Sequence, residues 1–317
     1  MILPRAGFLQ VTVFITCHVF FGLCAFGQSP DAHTVVSIVP RSRPQPISEE
    51  LPRSTFRLDV KLVEIPVTVA DQRDRPVLGL PQNAFRVLED ETEQEIVSFS
   101  RSDAPLSTGL VFDISGSMRN RIQDSRTAVE QFFAGSVTGD EFSLVTFSDS
   151  PELVHSFTPF TDEISRRLSS IHPHGWTAMV DAIWLSLQQM RRAANPRRAL
   201  LVLSDGGDNN SRYSEGELLS LIRETDVRIY AIGLFERPRY LEKLSEETGG
   251  GVIWVRKLSD LPDAMEKLSV QIRNEYRLGY FSNRTKNDGK YHKVRVEVQP
   301  QDGKPMRVSW RRGYTAP

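Results

Sequence analysis

Two runs in this sequence, GLVFD at 109–113 and LLVLSD at 200–205, are apolar almost throughout, broken only by Ser204, and each ends in an aspartate. A strand buried on both faces reads this way, and such strands belong to parallel sheets covered by helices. The segments around them keep to that plan. Ile122, Val129, Phe132 and Phe133 recur at helical spacing over 121–134. EFSLVTFS (141–148) reads as a strand with PELVHSF (151–157) paired beside it. Met179, Val180, Ile183, Trp184, Leu187 and Met190 form a wide helical stripe. A helix at 218–224, a strand at 226–234, a helix at 240–248 closed by Gly249, the strand GVIWV and a last helix through Leu261, Met265, Leu268 and Ile272 complete the series. The expected fold is α/β, a doubly wound, mainly parallel sheet over 105–275.

On either side the apolar period changes to two. FRLDVKLVEIPVTVAD (56–71) predicts one or two strands, LPQNAF a helical turn capped near Asn83 or Pro81, and FRVLEDETEQEIVSFSR (85–101) a hairpin around Glu91. After residue 276, YRLGYFS, YHKVRVEVQ and MRVSWRRGY predict three antiparallel strands separated by Asn-Asp-Gly and Asp-Gly turns. Each flank has an apolar face that needs a cover. The expectation is that 55–103 and 276–317 pack together as one β-sandwich-like unit, with the α/β domain inserted between them.

Residues 1–27 carry one charge, Arg5, and a nearly continuous apolar run from Phe8 to Phe26. Ala25 and Gly27 supply the small-x-small pattern of a signal peptidase site, which predicts export with cleavage near Gly27, to the periplasm or the medium. Gln10 and His18 interrupt the run, which fits a cleaved signal better than a retained membrane anchor. Residues 28–54, rich in Pro, Ser and charge, read as a flexible linker. Both cysteines, Cys17 and Cys24, lie in the leader, so a mature chain would have neither disulfide nor thiolate chemistry. With 39 basic and 40 acidic side chains the chain has no field to gather nucleic acid. The basic pairs at 191–192, 197–198 and 311–312 read as solvated surface.

Ligands bind beyond the carboxyl ends of the strands in an open α/β sheet. Asp113 and Asp205 end two such strands, Ser115 and Ser117 follow the first in Asp-x-Ser-x-Ser spacing, and Thr177 stands just before the stripe that begins at Met179. Two carboxylates and three hydroxyls form an all-oxygen set suited to a hard cation: Mg²⁺ first, with Mn²⁺ or Ca²⁺ as alternatives. Neutral hydroxyls coordinate without cancelling charge. A metal held this way retains affinity for a further carboxylate, so the set is suited to binding an acidic group on another molecule. No nucleophile or base points to catalysis. His172 and His174 read as loop residues, Asp208 and Asn209 as capping and turn residues, and Asp181 as either a group orienting the loop or a solvated aspartate.

DISGS, with Thr177 in GWTAMVDA and Asp205 in LSDGGDNNS, resembles the von Willebrand factor type A domain and its metal-ion-dependent adhesion site. The flanks FRVLEDETEQEIVSFSR and YRLGYF…RRGY are similar to an exported group of such proteins abundant in acidobacteria. The resemblance spans roughly 56–314. It implies that the serines and the threonine coordinate a divalent ion directly and that the aspartates do so directly or through water. The implied partner is a protein presenting an acidic residue. Trp176 departs from the small residue of many members. The alternative function is a secreted scaffold stabilised by a closed metal site. A Mg²⁺-dependent phosphoryl-transfer enzyme is a weaker one, since the second aspartate such a site wants is Ser115, and ISGSM lacks the first glycine of a serine-hydrolase elbow.

Overall fold

The computed structural model describes residues 62–102, 104–235, 237, 239–282, 289–300 and 303–316. The leader, the linker and the start of the first β segment lie outside the described residues. Among the described residues no helix is long and apolar enough to cross a membrane.

In chain order the first strands are β1 (Leu62–Ala70), β2 (Phe85–Glu89), β3 (Thr92–Gln94) and β4 (Ile96–Ser102). The α/β part runs β5 (Leu106–Asp113), α1 (Ile122–Ala134), β6 (Glu141–Phe147), β7 (Pro151–Thr158), α2 (Thr161–Ser170), α3 (Met179–Gln189), β8 (Arg197–Ser204), α4 (Glu215–Arg223), β9 (Arg228–Leu234), α5 (Arg239–Thr248), β10 (Val252–Val255) and α6 (Leu261–Arg273). The closing strands are β11 (Glu275–Phe281), β12 (Tyr291–Val298), β13 (Arg307–Trp310) and β14 (Gly313–Thr315).

The central sheet has the order β10-β9-β8-β5-β6-β7 and is parallel except for β7, which pairs antiparallel with β6 at the edge. Successive residues of β5 serve opposite faces: Leu110 and Phe112 pack with α1, α2 and α6, while Val111 packs with α3, α4 and α5. This two-sided burial is why the run is apolar without alternation. It also puts β5 and β8 side by side at the centre, so Asp113 and Asp205 emerge at one edge.

The helix α2 has no counterpart among the sequence expectations. It buries only Ile164 and Leu168, one turn apart, and the rest of TDEISRRLSS is polar. Two apolar residues in ten are too few to raise a periodic signal.

The flanks form two four-stranded antiparallel sheets, β13-β1-β11-β4 and β14-β12-β2-β3. Their shared core joins Val63, Ile65, Val67 and Val69 to Phe85, Val87, Tyr276, Leu278, Tyr280, Val294 and Val296. Two expectations are corrected here. The three C-terminal strands do not make a sheet of their own: β11 and β13 flank β1, while β12 and β14 lie in the other sheet. The hairpin around Glu91 is short, because β2 pairs with β3 while β4 crosses to pair with β11. Both departures have one cause. A sandwich buries the faces of two sheets against each other, and strands are dealt between sheets to cover apolar faces rather than to stay beside sequence neighbours.

A third correction concerns charge. Arg197 is buried, not solvated. Its Nε donates to Glu275 Oε1 at 3.0 Å and its Nη1 to the Ala104 carbonyl at 2.6 Å, while Arg228 pairs with the other oxygen of Glu275. These arginines open β8 and β9, and Glu275 opens β11.

Candidate metal centre

Three loops meet at the carboxyl edge of the central sheet. The first leaves β5 as Asp113 to Asn120 and tightens into a 3-10 turn over Gly116–Asn120. Its path is fixed by backbone bonds to its neighbours. Ile114 N–H donates to the Phe147 carbonyl (2.9 Å), Gly116 N–H to Gly175 (3.0 Å), and His174 N–H to Ile114 (2.8 Å). The second loop, 171–178, carries Thr177. The third, 205–214, is sewn to it: Asn209 N–H and Asn210 N–H both donate to the Thr177 carbonyl, and Thr177 N–H donates to Asn209 Oδ1 at 2.8 Å.

Hydrogen bonds tie the side chains into one cluster. Asp113, with no exposed surface, accepts from Ser115 N–H at Oδ1 (2.8 Å) and from Ser204 Oγ at Oδ2 (2.6 Å). Ser115 Oγ lies 3.0 Å from Ser117 Oγ, and Ser117 Oγ donates to Asp205 Oδ1 at 2.7 Å. Ser117 is the exposed member, so the cluster opens to solvent there. Four of the five expected residues thus meet through their side chains, and Thr177 is brought to the same loop cluster through its backbone.

Electrostatics show what this arrangement lacks. Burial holds the Asp113 carboxyl above its ordinary range, against hydrogen bonds from Ser204 and Ser115, and the charge on Asp205 pushes the same way as burial. Among the described residues the one cation in contact is Arg121, which pairs with Asp205 Oδ2 and lies over the Phe235 ring, 4.4 Å from its centroid. Two carboxylates therefore face one side-chain cation. Neighbouring oxygens of an octahedral Mg²⁺ shell stand about 3 Å apart for bonds of about 2.1 Å. The 3.0 and 2.7 Å separations along Ser115, Ser117 and Asp205 match that spacing. The residues present therefore fit a small hard cation.

Other groups hold the loops. Asp208 accepts from Val180 N–H at 3.1 Å, in the first turn of α3. Asp181 accepts from Arg212 N–H and Tyr213 N–H, both at 3.0 Å, so it orients the third loop and is not a solvated aspartate. The rings of Trp184 and Tyr213 stack beside it, 4.0 Å apart. His174 is a loop residue whose Nε2 lies 3.1 Å from Ser148 Oγ. Gly175 has φ +71°, and a Cβ there would lie 2.3 Å from Asp149 Oδ2, so only glycine fits beside the carboxylate that accepts from Trp176 N–H. The indole of Trp176 is 65% exposed and borders the loop cluster beside Thr177.

Sequence reasoning did not find Arg121, Ser204 or Asp149. Ser204 carried a readable signal, since it stands between the apolar strand and Asp205. Arg121 and Asp149 reach the site only through tertiary contacts.

The von Willebrand factor type A domain family matches residues 108–207, a span that contains all five expected ligands. An uncharacterized protein of Borreliella burgdorferi is 24% identical over 135 residues, 39% of this chain and 39% of that protein, so the chain spans about two fifths of the length of this curated relative. Among solved structures, a von Willebrand factor type A protein from Catenulispora acidiphila is 12% identical, with a TM-score of 0.49 over 82% of this chain and 74% of that one. Proximal thread matrix protein 1 from the mussel byssus is 19% identical, with a TM-score of 0.48 over 56% and 49%. A form of the mussel protein is described with its MIDAS motif occupied by zinc.

Proposed function

Starting from a chain that carries a von Willebrand factor type A domain, we propose an exported, metal-dependent protein-binding module. Asp113, Ser115, Ser117, Thr177 and Asp205 hold a divalent ion, Mg²⁺ by preference. A metal bound there supplies an electrophilic position for one carboxylate of a protein partner. The observation that carries this reading is the close-spaced run of oxygens over Ser115, Ser117 and Asp205, tied to Asp113 through the Ser115 amide and opening at Ser117.

Each side chain has a part in it. Asp113 and Asp205 provide the negative charge, and the serine hydroxyls add oxygen without adding charge. Asp113 is oriented by Ser204 and by the Ser115 amide, so its position does not depend on the ion. The exposed Trp176 offers the partner an apolar wall next to the polar site.

Mn²⁺ provides the decisive test, because water exchanging at a bound Mn²⁺ enhances proton relaxation. The full chain titrated with Mn²⁺ should show enhancement, and Asp113→Ala should abolish the part of it that acetate reduces. Binding with no enhancement, or with enhancement insensitive to acetate, would mean a closed stabilising site. Absence of binding would overturn the metal reading altogether.

A further inference from the structure

A second group of ligand-type side chains lies in the β-sandwich, at the turn between β2 and β3. Asp90 and Glu91 form this two-residue turn at φ 45° and 66°. Turns of this hand favour Asn-Gly or Asp-Gly, because most side chains resist positive φ. The strain sets Asp90 in place. Its N–H donates to the Lys293 carbonyl and its Oδ1 accepts from Lys293 N–H, both at 2.9 Å. Its other oxygen, Oδ2, lies 2.8 Å from Nδ1 of His292 on β12.

Glu89, the last residue of β2, completes the group. Its Oε1 stands 4.0 Å from His292 Nδ1 and accepts from Ser282 Oγ at 2.8 Å. One ligand atom from each of Glu89, Asp90 and His292 lies within 4.8 Å of the other two. Glu89 and His292 are 1% and 4% exposed. An Asp–His pair accounts for Asp90 Oδ2 and His292 Nδ1, but it does not account for Glu89. The Glu89 Oε2 atom is buried without a hydrogen-bond partner. The hydroxyl of Tyr280, a fully buried side chain, faces the same carboxylate and Tyr314. Buried polar atoms are nearly always satisfied, and an unsatisfied carboxylate oxygen beside an aspartate and an imidazole marks a place for a ligand.

We infer that Glu89, Asp90 and His292 form a second metal site, for a divalent transition ion of the Zn²⁺ or Mn²⁺ type. Two carboxylates balance the ion's charge around a neutral imidazole, and an imidazole ligand favours Zn²⁺ over Mg²⁺. An ion on Nδ1 requires the ring's one proton on Nε2, so a neutral imidazole changes tautomer and an imidazolium releases one proton to solvent. The Glu89 Oε2 lone pairs gain a partner, and Ser282 and Lys293 orient the ligating carboxylates from behind. The ion would clamp β2 to β12, and with it the N-terminal flank to the C-terminal one.

The experiment uses the full chain carrying Asp113→Ala, which removes the other candidate site, stripped with EDTA and titrated calorimetrically with Zn²⁺. One equivalent should bind. Glu89→Gln in the same background keeps the shape and the Ser282 contact, and should weaken binding by roughly tenfold or more; His292→Ala should do the same. Near-ultraviolet circular dichroism checks that each variant is folded. If His292→Ala does not fold, Zn²⁺-soaked crystals of the Asp113→Ala protein give the answer directly. An anomalous peak should lie about 2.0–2.1 Å from His292 Nδ1. No uptake by the Asp113→Ala protein, uptake unchanged by Glu89→Gln, or a peak elsewhere would each overturn the inference.

Discussion

Arg121 and Asp113 set the energetics of the candidate metal centre from opposite sides. The Arg121 guanidinium is bound to Asp205 Oδ2, so an ion entering the cluster competes with it. A partly exposed ion pair contributes about 1 kcal/mol. Arg121→Gln should therefore tighten Mg²⁺ binding by roughly fivefold while lowering metal-free stability, and calorimetric titration beside urea unfolding checks both. Asp113 gives a pH signature. Its folded pKa is raised by burial above the ordinary 3.8, so the fold prefers the neutral acid. The stability it contributes is complete below the unfolded pKa and is lost as pH rises through the higher folded value. In EDTA, Asp113→Asn should accordingly match the wild type near pH 4 and become the more stable protein toward neutrality. Urea unfolding across that range measures the difference, and a gap that stays constant with pH would show that the carboxyl is not strained by burial.

At the scale of elements, the loops are ordered by contacts the sequence does not announce. Gly175→Ala would drive a methyl group into Asp149 and displace the loop that carries Thr177. It should weaken Mg²⁺ binding by roughly tenfold, the cost of misplacing one ligand, with little change in far-ultraviolet circular dichroism. Helix α4, just after the third loop, begins with a complete capping box: Glu217 N–H donates to Ser214 Oγ, and Ser214 N–H donates to Glu217. Ser214→Ala should cost about 1 kcal/mol in urea unfolding. These elements also show what is legible in a sequence. The buried strands β5 and β8 were readable because burial on both faces leaves an unbroken apolar run. The oxygen cluster was readable because strand ends place Asp113 and Asp205 at one edge. Helix α2 was not, since two buried residues carry it, and Asp149 was not, since its partners at 175 and 176 depend on the packed loops. The pairing of the flank strands was illegible for a related reason. Period-two patterns say which face of a strand is buried but not which strand lies beside it.

For the whole molecule the important junction lies at Glu275, the first residue after the α/β domain to enter the sandwich. Its carboxylate bridges Arg197 and Arg228 at the starts of β8 and β9, with Arg277 a further 3.5 Å contact. Arg197 also donates to the carbonyls of Ala104 and Ile272, at the two points where the chain passes between sandwich and α/β domain. One buried polar network thus joins the domain to both of its connections. The described residues from 62 onward belong to a single compact unit, and this network is a physical reason for it. Removing one partner from a buried ion pair leaves an uncompensated charge, at a cost of about 3–5 kcal/mol. Glu275→Ala strands two guanidinium groups and should lose at least that much. Loosened connections should also let the two parts respond separately to heat. Calorimetry of the wild type should give one transition, and that of Glu275→Ala a lower, broader or split one. A single sharp transition at the wild-type temperature in Glu275→Ala would mean that the shared apolar packing, and not the buried charges, couples the sandwich to the domain it encloses.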